Sequence, residues 1–257
     1  MEIFITSLLL PIVSGVIVYG INQKKWFNAY MPRKIRKGKK KNTVLLIGIG
    51  RVGKTQLVKY FTESIPTPPK ITNEFSINTA QRVYNEGITT MHFNDYRGQN
   101  FGQLVNSFIK EQLVPNTILR YGDINTLILI VDLFPYEDDD NLIEKQYKEI
   151  DFDRLEEHIN AWNQYALDAV FALLEKDSVQ YVCLFINKFD KLNHKEGKGE
   201  ARKLILKSLT PLIETLKTRS KGSTAEFEVL FGSAYSGEGV GGVGGLESRL
   251  HHYSVSG

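Results

Sequence analysis

The chain has 257 residues, 42% of them apolar, with a formal net charge of +3 and one cysteine. That length and apolar share allow one sizeable folded domain with an appendage and exclude a wholly disordered chain. The lone Cys183 excludes an intramolecular disulfide, and its setting in VQYVCLFIN reads as a buried thiol rather than a nucleophile or metal ligand.

Residues 3–21 carry no charge and are rich in Leu, Ile and Val. As a helix this run reaches roughly 28 Å, close to a hydrocarbon core of about 30 Å. It is therefore expected to span a membrane, within a transmembrane segment over 1–22; a buried core helix is the alternative. Glu2 precedes the run and the lysines follow it, the reverse of a cleavable signal peptide. Residues 21–42 hold nine Lys or Arg and no acid. The positive-inside rule places the amino terminus outside and everything after Lys24 in the cytosol. The basic linker, taken as 23–42, reads either as a solvated tether or as a contact for anionic lipid. Nucleic acid is not expected as a partner, because the chain from Thr43 onward is net acidic.

The apolar run TVLLIGI, residues 43–49, predicts a buried parallel strand, and KTQLVKYF predicts a helix with Leu57, Val58 and Phe61 on its inner face. Between them Gly48, Gly53, Lys54 and Thr55 spell G-x-x-x-x-G-K-[ST]. Glycines let successive backbone N–H groups turn inward on phosphate oxygens at the positive end of the following helix. The cradle comprises Gly48, Gly50, Arg51, Val52, Gly53, Lys54, Thr55 and Gln56. Lys54 would reach the outer phosphates and Thr55 would place a hydroxyl on Mg²⁺.

Further along, FSINTAQRVY and ITTMHFND flank the turn signal Asn85 to Gly87, predicting an antiparallel hairpin. TLILIVD, residues 126–132, VQYVCLFIN, residues 179–187, and FEVLFGS predict three more strands. A long helix is expected from Asp153 to Lys176, with Leu155, Ile159, Trp162, Ala166, Val170 and Leu173 as core positions. The acidic stretch before it, an insertion near 133–152, reads as a solvated loop, since Asp138 to Asp140 lack EF-hand spacing. The overall expectation is an α/β domain over 43–245 with a mixed, mostly parallel six-stranded sheet in three layers. Residues 246–257 then form a short helix or a flexible glycine-rich tail.

At the end of the 179–187 strand stands NKFD: Asn187, Lys188, Phe189 and Asp190. A carboxylate there can accept both N1–H and the 2-amino group of guanine, a donor pair adenine lacks. Leaving buried polar groups unpaired penalises the wrong base by about 10⁴-fold. Asn187 would tie this loop to the phosphate loop, and the Lys188 stem would cover the base face.

With both motifs present, the sequence resembles the Ras-like small GTPases over about residues 43–237. A third element, DYRGQ, matches that family's D-x-x-G-Q. The resemblance implies that Asp95 holds Mg²⁺ through water, Gly98 senses the γ-phosphate and Gln99 orients the attacking water, with Lys54 stabilising charge. It also implies a threonine closing the site over Mg²⁺, for which Thr72 is the first choice by spacing and Thr67 the second. GSAY matches the family's guanine-contacting loop at Ser233 and Ala234, whose backbone amide would contact the base carbonyl, and departs from it at Tyr235. The membrane helix, basic stretch and KITNEFS more narrowly resemble the beta subunits of the signal-recognition-particle receptor, from which Gln99, the insertion and the short ending depart.

The resemblance implies a membrane-anchored protein that binds GTP or GDP with Mg²⁺, hydrolyses GTP slowly and recruits a cytosolic protein partner. A receptor subunit that keeps GTP bound is the alternative. An ATPase or kinase would require NKFD to be accidental.

Overall fold

The computed structural model describes residues 39–63, 76–84, 87–95, 124–134, 146–174 and 178–256. In chain order these form β1 (Lys39–Ile47), α1 (Lys54–Thr62), β2 (Ser76–Tyr84), β3 (Gly87–Asp95), β4 (Thr126–Asp132), α2 (Phe152–Ala161) and α3 (Gln164–Leu173). Then follow β5 (Tyr181–Asn187), α4 (Gly197–Ser208), α5 (Thr210–Gly222), β6 (Glu226–Phe231), α6 (Leu246–His252) and β7 (Val255–Ser256).

One mixed sheet runs in the order β2-β3-β1-β4-β5-β6. All neighbours along this path are parallel except β2 and β3, which form the expected hairpin with Ser76 opposite Asp95 and Tyr84 opposite Gly87. β4 and β5 are buried at every position, as strands covered on both faces must be, which explains their unbroken apolar sequences.

Alternation sorts the strand side chains into two cores. Leu45, Ile47, Leu129, Val131, Leu184 and Ile186 face α2 to α5, packing on residues such as Leu155, Val170, Ile205 and Leu216. Val44, Leu46, Ile128, Ile130, Cys183 and Phe185 face the other way, toward Leu57, Val58 and Phe61 of α1 and Leu246 and Leu250 of α6. Helices thus cover both faces of the sheet.

Three expectations change. First, β1 begins at Lys39 and ends at Ile47, so residues 39–42 of the basic stretch are strand, paired with β3 from Ile88 to Met91. Asn42 is fully buried and donates to the Leu250 carbonyl at 2.6 Å. Second, the helix expected over 153–176 is two helices. The chain breaks at Trp162 and Asn163, and the Asn163 side chain accepts from the Ala166 amide at 3.1 Å, starting α3 afresh. Trp162 and Ala166 both stay buried across the break, so the apolar spacing hides it. Third, β6 stops at Phe231, two residues short of the sequence reading.

Of the two readings of residues 246–257, the short helix is the one present, as α6. Residues 236–245 turn back on α1, and a Cβ on Gly237 would stand 2.6 Å from the Tyr60 ring, while one on Gly241 would strike the Tyr60 hydroxyl. Glycine is required there by close approach. After α6 the chain adds β7, antiparallel to β1 with Lys40 opposite Ser256.

Among the described residues no helix is long and apolar enough to cross a membrane. The 3–21 run lies outside them, as do Thr67, Thr72, Gly98, Gln99 and Asp138 to Asp140.

Candidate functional site

The carboxyl ends of β1, β3, β4 and β5 converge at one edge of the parallel sheet, where open α/β sheets form their binding crevices. β1 ends at Ile47 and the chain turns through 48–53 into α1. Gly48 (φ 151°), Arg51 (φ 66°) and Gly53 (φ 94°) adopt positive φ, and Gly53 occupies the cap position of α1. A Cβ on Gly53 would collide with the Asn187 amide, and one on Gly48 would stand 2.6 Å from the Ile130 carbonyl. The loop therefore lies hard against both β4 and the end of β5.

Lys54 is buried, and its ammonium donates to the Gly48 carbonyl at 3.0 Å and the Ile49 carbonyl at 2.9 Å. Its charge thus sits within the curl of the loop. Thr55 and Gln56 follow in the first turn of α1, and Val52 is fully buried. Asp95 ends β3 opposite Leu46, two residues before Gly48, so the strand delivers it beside the loop.

β5 ends in the base-loop motif. Asn187 is buried; its Nδ2 donates to the Val52 carbonyl at 2.7 Å and its Oδ1 accepts from the Ala234 amide at 2.8 Å. One amide side chain thereby ties three loops together, and the expected link from Asn187 to the phosphate loop is present. The Ala234 amide, which the resemblance assigns to a base carbonyl, is here engaged by Asn187. Ser233 is buried and its hydroxyl accepts from the Ser236 amide at 3.1 Å, shaping that loop.

Lys188 adopts φ 62°, an uncommon conformation for a side-chain-bearing residue that costs about 1 kcal/mol and concentrates at functional sites. Phe189 is fully buried against Phe231, with the Arg202 guanidinium 5.1 Å from its ring centre, and its amide donates to the Gly232 carbonyl. This anchors the loop. The return of the insertion braces it further: Tyr147 stacks on Phe134 at 3.9 Å and bridges to Leu192. Asp190 then holds its Oδ1 out of solvent with no hydrogen-bond partner in the structure. A buried acceptor left unsatisfied is costly, and an incoming donor would relieve that cost.

Sequence reasoning missed a buried ionic cluster behind these loops. Asp132, the last residue of β4, is fully buried. It accepts from Arg154 Nε at 2.8 Å and Lys188 Nζ at 2.5 Å, and its Oδ1 lies 2.8 Å from His158 Nε2. Lys188 also donates to the Phe134 carbonyl at 2.8 Å, so its ammonium is anchored at β4. Burial alone would push the Asp132 carboxyl up, but the His158 hydrogen bond and the Lys188 and Arg154 charges outweigh it and hold the group at about 2. Burial lowers His158 despite its bond to Asp132, so the imidazole stays neutral at pH 7. A carboxylate closing an otherwise apolar, doubly covered strand was the available signal.

Set beside known proteins, the chain matches no protein-family model and no curated protein sequence.

The arrangement can seat a polyphosphate on a backbone-lined loop beside a buried cation, with an unsatisfied carboxylate oxygen for a base on a loop tied to it. Among the described residues no group of three or more His, Cys, Asp or Glu could hold a metal by itself.

Proposed function

We propose that this chain is a guanine-nucleotide-binding protein with a P-loop G domain that hydrolyses GTP slowly and acts as a nucleotide-dependent switch. The observation that carries the reading is the buried, unpartnered Asp190 Oδ1, on a loop that Asn187 fastens to the Val52 carbonyl of the phosphate loop. Guanine supplies the donor pair such a carboxylate accepts; adenine does not. With the Ala234 amide engaged by Asn187, base selection rests on Asp190. The strand order, with β2 as the only antiparallel neighbour on the main path, is compatible with a P-loop fold.

A γ-phosphate entering the loop would take over the Lys54 ammonium from the Gly48 and Ile49 carbonyls. Thr55 at the start of α1 and Asp95 at the end of β3 have the oxygen chemistry that Mg²⁺ takes, with Thr72 as the proposed third oxygen. Mg²⁺ there would neutralise charge on the phosphate oxygens. Lys54 would stabilise negative charge as water attacks in line, and Gln99 would orient that water. On this reading the 3–21 run is a single membrane anchor, the basic stretch lies on the cytosolic side, and the γ-phosphate orders a surface for a cytosolic protein.

The test is nucleotide binding by the purified chain. GDP and GTP should bind at least about 10³-fold more tightly than ADP and ATP. Equal binding of the two series refutes the guanine reading.

A further inference from the structure

We propose that Arg154 is a positioning residue that sets the phosphate loop's central peptide for its ligand. The inference rests on the proposed phosphate site but not on which base accompanies the phosphates. Arg154 stands in the first turn of α2, far from the loop in sequence, and only one-tenth of its side chain is exposed. Its guanidinium is held on two sides: Nε donates to Asp132 at 2.8 Å and Nη1 to Glu157 at 2.5 Å. The remaining corner, Nη2, donates to the Gly50 carbonyl at 3.4 Å.

The described peptides contain no cis bond. In a trans peptide the carbonyl and the following N–H point in opposite directions. A Gly50 carbonyl drawn toward α2 therefore turns the Arg51 N–H away from α2. The same logic applies two residues on, where Asn187 holds the Val52 carbonyl and so turns the Gly53 N–H away from itself. With alternate carbonyls tethered to outside donors, the intervening amides face the curl that Lys54 occupies, and Arg51 at φ 66° supplies the left-handed kink of an anion-binding nest.

Asp132 connects this clamp to the base loop, because the same carboxylate holds Arg154 and Lys188. Base and phosphate loops thus share one buried anchor. Arginine suits the task because its planar fork can serve Asp132, Glu157 and Gly50 together, whereas a lysine keeps the charge beside Asp132 but lacks the third reach.

The test compares the full-length wild-type chain with Arg154→Lys, reading GDP affinity, the melting temperature without nucleotide, and the Arg51 amide resonance as GDP is added. One charge-assisted hydrogen bond to phosphate corresponds to about a tenfold or greater change in affinity. We expect Arg154→Lys to weaken GDP by that factor and to shrink the GDP-induced downfield shift of the Arg51 amide, with the melting temperature held. Affinity within about twofold of wild type overturns the inference, as does a weakened affinity with the Arg51 shift intact. If Arg154→Lys does not fold, Arg154→Gln is measured the same way, since Lys188 still faces Asp132. Should ADP bind as tightly as GDP, the guanine reading falls and the Arg154 comparison is read with ADP. A wild-type chain that binds neither overturns both.

Discussion

Replacing Asp132 by Asn tests whether the buried cluster stabilises the molecule through charge. The carboxylate is fully buried, while the side chains of its two cationic partners, Arg154 and Lys188, are 10% and 24% exposed, so neither can turn fully to water when the anion is removed. Removing one partner of a buried pair costs about 3–5 kcal/mol. pH separates this electrostatic cost from a packing defect. Asp132 falls from its ordinary 3.8 to about 2 on folding. Its contribution is therefore complete above the unfolded value, is reduced by about 1 kcal/mol at pH 3 and is lost by about 2 kcal/mol near pH 2. His158 is also depressed, so stability falls as pH drops below the ordinary histidine range. That loss is larger without Asp132, which favours the imidazolium, so the two chains are compared in a His158→Gln background that keeps a side-chain N–H beside Asp132. Urea unfolding of His158→Gln with and without Asp132→Asn at pH 7, 5, 4 and 3 should show a gap of about 3–5 kcal/mol at neutral pH that narrows as pH falls to 3, where only Asp132 titrates between the two chains. A gap that stays constant from pH 5 to pH 3 would refute the charge argument and leave shape as the cause.

Asp190→Asn replaces an acceptor-only oxygen pair by an amide, and is expected to lower guanine-nucleotide affinity by about 10²-fold or more and favour xanthine nucleotides, checked by competition binding. Gly241→Ala should destabilise the fold by about 1–3 kcal/mol in thermal or urea unfolding, and Tyr60→Phe in the same chain should recover part of that loss by removing the hydroxyl in the way. Gln99→Leu should keep GTP affinity and slow single-turnover hydrolysis by about tenfold or more; unchanged turnover would count against the assigned role of Gln99.

Much of the sheet was legible because its strands are extreme. β4 and β5 are buried on both faces and so read as continuous apolar runs, and β2 and β3 flank a turn signal. The 48–55 loop and NKFD were legible because each is a motif of fixed spacing that follows neither the strand nor the helix period. What stayed hidden depends on tertiary partners. Asn163 could be seen as a helix starter only once Trp162 was known to close the preceding helix. The close packing of Gly237 and Gly241 was not legible because the ring they approach, Tyr60, lies in α1. Arg154 and Asp132 carry no motif, and the Ala234 amide gave no hint in sequence that Asn187 would engage it.

The pairing of β7 with β1 has a consequence for the order in which the body is completed during synthesis. Strand β1 is among the first of the described elements to be made, yet β4 covers its edge only from Val44 to Ile47. Beside Lys40 and Lys41 the same edge waits for Val255 and Ser256, and the Asn125 side chain, which grips the Thr43 amide, also waits for the Tyr253 carbonyl. A chain still being translated would therefore expose an unfinished edge on its central strand, open to pairing with another extended segment. Among the described residues Val255 and Ser256 close it, so a chain cut short before 255 would keep that stretch of edge open.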